Sequence, residues 1–165
     1  MRSFGDALFD LRGQKMEIYR VAFMGHRKID QITTLEQKIE KLVHDLLLNK
    51  EYVEFYIGRN GDFDILAASA IKRMQAEVGH QNSSLILVLP YSVKDEQYYH
   101  AYYDEIYYPV DPKTHYKSAI SKRNQWMIEN CDFLVAFVER NFGGAYQSML
   151  YAKKMEKSWI NLLNF

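Results

Sequence analysis

Short, nearly continuous apolar runs alternate along the chain with longer stretches in which apolar residues return every three or four positions. The runs are 18–24 (IYRVAFM), 52–57 (YVEFYI), 85–89 (LILVL) and 133–138 (FLVAFV), and 160–163 (INLL) closes the series. Short apolar runs rich in β-branched and aromatic residues predict strands covered on both faces, as in a parallel sheet. Between them Leu35, Ile39, Leu42, Val43, Leu46 and Leu47 recur at helical spacing. They predict a helix from Leu35 to about Leu48, with Thr33 and Glu36 at capping-box spacing. Phe63, Leu66, Ala67, Ala70, Ile71 and Met74 predict a second helix starting at Asp62, 117–130 a third, and the stretch after Gly143-Gly144 a fourth.

Strands and helices alternating in this order predict a three-layer, Rossmann-like α/β fold with a mainly parallel sheet of about five strands. Two stretches break the pattern. Residues 1–17 are weakly patterned and are set apart as an N-terminal extension, leaving 18–165 as a single domain. Residues 91–116 hold eight of the 13 tyrosines and two of the three prolines. They read as an irregular excursion with one short helix, and so long a loop in a compact domain signals function or a misread element.

Composition narrows the chemistry. The 165 residues suit one domain, and 21 Lys plus Arg balance 21 Asp plus Glu, which disfavours a nucleic-acid surface. The single Cys131 excludes an intramolecular disulfide and a multi-cysteine zinc site and fits a reducing compartment. The five histidines show no metal-ligand spacing, so neither a metal nor a cofactor is expected. No apolar run is long enough to cross a bilayer or to serve as the core of a signal peptide. A cytoplasmic protein without a membrane partner is therefore expected. A homo-oligomer stays open.

Three predicted strand ends carry glycines and polar residues. At Gly25-His26-Arg27 the glycine permits a sharp turn or close approach, Arg27 could pair with a phosphate or carboxylate, and His26 could donate a hydrogen bond. A solvated polar turn explains the same three residues. In the second, Gly58-Arg59-Asn60-Gly61-Asp62-Phe63-Asp64, the glycines suit a phosphate-cradling turn, although neither the dinucleotide fingerprint nor the Walker A lysine is present. Asp62 also suits a helix cap, and Asp64 could accept from ribose hydroxyls. In the third, Gly143 and Gly144 precede a helix and would expose amides to an anion. On periodicity alone Arg123-Asn124 reads as a solvated helix face. The tyrosines at 98–108 could stack on a base, or pack their own loop onto the domain. No serine or cysteine stands in a recognisable nucleophile elbow.

The ordered set AFMGHR, FYIGRNGDFDILAASAIKR, LILVLPY, KRNQWMIENCDFLVAFV and GGAYQSMLYAKK...INLL resembles the YpsA-like branch of the SLOG superfamily over residues 18–163. That superfamily is Rossmann-like and includes the DNA-processing protein DprA and LOG-type phosphoribohydrolases. The resemblance implies a sensor or binder of nucleotides or nucleotide-derived ligands. It assigns Gly25, His26 and Arg27 to a first ligand-facing loop and Gly58, Asp62 and Asp64 to a second. Arg123 and Asn124 become site support, and Gly143 and Gly144, with Ala145 and Tyr146 after them, the phosphate-facing loop. Ala145 stands where the family has a small hydroxyl residue, for which Ser148 is the nearest replacement.

LOG-type enzymes resemble PGGxGTxxE here, and aligning the glycines puts Phe142 at the proline and Leu150 at the catalytic glutamate. Leucine cannot act as an acid or base. A non-catalytic nucleotide binder is therefore expected, with the phosphate on Gly143-Gly144, the ribose near Asp64 and the base on aromatics of the tyrosine-rich excursion. The alternatives are a nucleoside monophosphate phosphoribohydrolase-like N-glycosidase, with Asp64 replacing the glutamate, and a protein- or DNA-interaction module.

Overall fold

The computed structural model describes residues 7–165. Six strands and five helices follow in the order β1 (Ile18–Gly25), α1 (Ile32–Asn49), β2 (Tyr52–Ile57), α2 (Asp62–Val78), β3 (Ser83–Val88), α3 (Glu96–Tyr102), β4 (Glu105–Tyr107), α4 (Tyr116–Asn130), β5 (Phe133–Phe137), α5 (Gly144–Lys154) and β6 (Ser158–Asn161). The strands form one sheet in the order β4-β3-β2-β1-β5-β6, and each neighbouring pair is parallel.

Strands β1, β2 and β5 contribute alternate side chains to two separate cores, which is why their sequences read as continuous apolar runs. Val21, Phe23, Phe55, Ile57, Val135 and Phe137 face α1 and α2, which supply Leu35, Ile39, Phe63 and Ile71. Ala22, Met24, Tyr56, Ile86, Leu134 and Ala136 face α4 and α5, which supply Met127, Ile128, Met149 and Ala152. On this second face Glu54 is fully buried, opposite Arg20 in the β1–β2 register, with Nε to Oε2 at 3.4 Å. From β1 the chain builds outward through β2, β3 and β4, then returns to place β5 on the other side of β1. Helices therefore leave β1 and β5 toward opposite faces, opening a crevice at their C-terminal ends.

Several expected boundaries move. Helix α1 begins at Ile32 with Gln31 as its cap and no side-chain capping bond, so the Thr33–Glu36 capping box does not form. Helix α4 begins at Tyr116, where the His115 ring nitrogen accepts from the Lys117 amide at 3.2 Å. The tyrosine-rich excursion holds the expected short helix, α3, and also the edge strand β4, whose three residues are too few to show a period. The closing strand lies at Ser158–Asn161, followed by a 3-10 turn at Leu162–Asn164. Residues 1–6 of the expected extension lie outside the described residues. Its remainder forms a small hairpin bridged at Phe9 and Lys15. Among the described residues no helix is long and apolar enough to cross a membrane, and no group of three or more His, Cys, Asp or Glu could hold a metal ion.

Candidate functional site

A cavity of about 400 Å³ lies at the C-terminal ends of β1, β2 and β5, where the strand order reverses. Ten of the twelve residues singled out in the sequence line it: Gly25, His26, Arg27, Gly58, Asp64, Arg123, Asn124, Gly143, Gly144 and Ala145. They come from four separate stretches of chain and play different parts.

At the end of β1, a Cβ added to Gly25 would meet the Phe63 ring at 2.2 Å. The glycine admits Phe63, which stacks on Phe137 with ring centroids 6.2 Å apart. Its first role is thus to let α2 dock on the sheet, not to admit a ligand. His26 is buried, and its Nε2 accepts from the amides of Glu139 at 2.8 Å and Arg140 at 3.2 Å. Nε2 is therefore an acceptor that fastens the loop after β5 to the end of β1, and in the neutral ring the donor proton lies on Nδ1. Burial, then the nearby Arg140, lowers its pKa, which suits a neutral acceptor. Arg27 lines the cavity while its carbonyl accepts from the Asp62 amide at 2.8 Å.

At the end of β2, a Cβ on Gly58 would lie 2.9 Å from Asp64 Oδ2 and 3.0 Å from Arg123 Nη1. The missing side chain lets a carboxylate and a guanidinium converge above the strand. The Asn60 amide donates to Asp64 Oδ2 at 3.1 Å. Burial raises the Asp64 pKa to about 6, opposed by Arg123, by that amide and by Arg27. Asp62 goes elsewhere. Its carboxylate accepts from the Ile29 amide at 3.2 Å, tying the β1–α1 loop to α2, and it does not line the cavity.

Arg123 is the largest departure from the periodic reading. It is 6% exposed, not solvated. Nη1 donates to the Val88 carbonyl at 2.9 Å, and Nε donates to Asn124 Oδ1 at 2.8 Å. Burial lowers its pKa, and Asp64 opposes that shift. Because Asn124 Oδ1 accepts from Arg123, its Nδ2 turns toward Gly144, 3.6 Å from where a Cβ there would sit.

Beyond β5, Gly143 caps α5 with φ 94°, a left-handed conformation that favours glycine, and a Cβ there would meet nothing within 4 Å. The first helical bond of α5 runs from Gln147 N to Gly143 O at 3.0 Å, so the amides of residues 144–146 precede its hydrogen-bond ladder. Tyr146 falls outside the cavity lining and packs against the α4/α5 core. Ser148 is buried, and its hydroxyl donates to the Gly144 carbonyl at 2.9 Å, so it does not replace the missing loop hydroxyl.

Asn60, Arg140 and Phe142 line the cavity without having been chosen as site residues. Arg140 was legible as a cation in the loop that leads to the glycines. Its charge, with Arg27 and Arg123, outnumbers the Asp64 carboxylate and makes the cavity positive. Excursion tyrosines are not among the lining residues. Tyr99, Tyr103 and Tyr108 instead pack on Leu87, Leu89 and Ile106 at the sheet edge, which corrects the expected base platform. Tyr99 accepts from Arg59 Nη1 at 3.2 Å.

No family model matches the chain, and no curated protein matches it. Solved structures do. DNA processing protein A (DprA) from Streptococcus pneumoniae aligns with TM-score 0.63 and 16% identity, over 86% of this chain and 49% of its own. DprA from Helicobacter pylori, described for its single-stranded DNA binding mode, aligns with TM-score 0.60 and 16% identity, over 86% of this chain and 63% of its own. The Moco Carrier Protein from Chlamydomonas reinhardtii aligns with TM-score 0.52 and 16% identity, over 88% of this chain and 76% of its own. The chain thus spans about half to two thirds of the DprA chains it matches. Its fold is Rossmann-like and of the DprA type.

Proposed function

We propose that residues 18–165 form a nucleotide-binding domain of the YpsA-like SLOG kind that holds its ligand without turning it over. One observation carries the reading: Arg27, Arg123 and Arg140 converge with the N-terminus of α5 on one cavity that holds a single carboxylate, Asp64. Guanidinium groups and free helix amides together suit a phosphate. The phosphate would lie on the amides at Gly144 and Ala145, between Arg140 and Arg27, with the ribose near Asp64. Phe142, 65% exposed at the rim, is the aromatic left for the base once the excursion tyrosines are removed. The position aligned with the LOG-type glutamate is Leu150, which supplies no acid or base.

Purified protein is to be incubated with a nucleotide panel, recording thermal shift and product together. Stabilisation by a ligand recovered intact is the expected result, since binding to the folded state alone raises stability. Release of free base, abolished by Asp64→Ala, would replace this reading with the N-glycosidase.

Nucleic acid is the second reading. The balanced net charge disfavoured it, but the local charge of the cavity is positive, and the Helicobacter pylori DprA is described as binding single-stranded DNA. A fluorescent oligonucleotide that binds more tightly than any mononucleotide, with a steep salt dependence, would favour it.

A further inference from the structure

A second cavity, of about 610 Å³, lies between α4 and α5. Ile120, Asn124 and Gly144 line both cavities, so the two meet at a seam where α4 faces the first turn of α5. The seam is built for a negative group. Asn124 presents Nδ2 there because its Oδ1 is taken by Arg123. The Gly144 amide precedes the α5 ladder, while the Gly144 carbonyl is already engaged by Ser148.

The second cavity runs along both helices, with Lys117 at the N-terminal end of α4, Lys154 at the C-terminal end of α5 and no acidic lining residue. The neighbouring carboxylate, Glu129, accepts from the Tyr151 hydroxyl at 2.5 Å. Ser121, Gln125 and Gln147 supply uncharged polar contacts, and Leu150 forms part of the wall. A mononucleotide needs only the first cavity. A second positive cavity, reached through a donor-lined seam, is suited to a ligand with two anionic parts.

We infer that the ligand is bipartite: one nucleotide moiety in the arginine cavity, joined through a phosphate at Asn124 and Gly144 to a second moiety lying in the α4/α5 groove, whose two ends carry Lys117 and Lys154. This rests on the nucleotide reading above and narrows its ligand class from mononucleotides to phosphate-linked dinucleotides.

The test measures binding of AMP, of the linear dinucleotide pApA and of hexa-adenylate by calorimetry. It uses the wild-type chain and the Lys117→Glu/Lys154→Glu double variant, both of whose positions are exposed. For the wild type, pApA is expected to bind at least about tenfold more tightly than AMP, with hexa-adenylate no tighter than pApA. The double variant should remove that advantage and leave AMP affinity within about twofold. A pApA affinity equal to that of AMP, or an advantage that survives the double variant, overturns the inference while AMP binding keeps the nucleotide reading standing. Affinity that climbs a further tenfold or so with hexa-adenylate also overturns it, pointing to an open strand track. If neither AMP nor pApA binds the wild type, the nucleotide reading falls and the bipartite ligand with it.

Discussion

Two regions stand out in the sequence, and they part company in the structure. The strand-end loops are sparse in chemistry, a few glycines with scattered arginines, yet they converge on one positive cavity. The segment 91–116 is dense in aromatic side chains, yet it folds as α3 and β4 and packs Tyr99, Tyr103 and Tyr108 against the sheet edge. The difference is one of packing geometry. A site needs groups that the topology brings together at a sheet's switch point, whereas local abundance of a residue type more often satisfies a local packing need.

The comparison can be broken most forcefully at Gly25. A Cβ there would overlap the Phe63 ring, so Gly25→Val is expected to destabilise the fold by about 3 kcal/mol, read as a lower urea midpoint. A smaller loss would mean that α2 can shift off the sheet, and that the glycine's role is not docking.

Arg123→Met comes next. It removes a buried guanidinium, leaves the Val88 carbonyl without its donor and releases Asn124. Stability should fall by about 2 kcal/mol, and affinity for a bound nucleotide by about tenfold. Unchanged nucleotide affinity in a folded variant would remove Arg123 from the site.

The pH response follows, and two cavity groups pull in opposite directions. Asp64 ionises less readily in the folded chain, rising from 3.8 to about 6, so the folded state holds the extra proton and Asp64 weakens the fold as pH rises through that window. Denaturation at pH 4 and pH 7 should show wild type losing about 2 kcal/mol relative to Asp64→Asn. His26 is shifted down from 6.5, so its contribution is present above that value and is lost as pH falls. His26→Gln should flatten the acid side of the stability profile. Parallel profiles for each variant and wild type would show that these shifts do not arise in the fold.

The smallest effect belongs to the aromatic segment. Tyr98 is 75% exposed on α3, and Tyr98→Ser should change stability by less than about 0.5 kcal/mol and leave nucleotide binding unaltered. A large drop in nucleotide affinity would return the tyrosines to the site and erase the contrast between the two regions.

Much of the fold was legible in order. Apolar runs longer than a turn and shorter than a helix, separated by stretches of helical period, specify parallel strands and crossovers with little ambiguity. Strand β4 was not legible, because three residues, the last of them one of the tyrosines, carry no period. The unused capping box at Thr33 failed for another reason: α1 starts at Ile32, which places that threonine inside the first turn. Among site residues, sequence placed Arg27, Asp64 and the Gly143-Gly144 loop at the right strand ends, but not their duties. His26 Nε2 ties down the loop after β5, Asp62 braces the β1–α1 loop, and Ser148 bonds its own helix. The first two assignments depend on which groups come within hydrogen-bond reach across the fold, which no one-dimensional spacing encodes.

By itself, then, the sequence determined the alternation of strand and helix, the helix-opening glycines and the absence of an acid at position 150, because each depends on local residue chemistry. Only the tertiary structure decided that Arg123 is buried beside Asp64, that Arg140 completes the positive cavity and that α4 and α5 enclose a second one. Those facts depend on strands distant in sequence meeting at the reversal between β1 and β5, where burial makes a charge strong and position makes it specific.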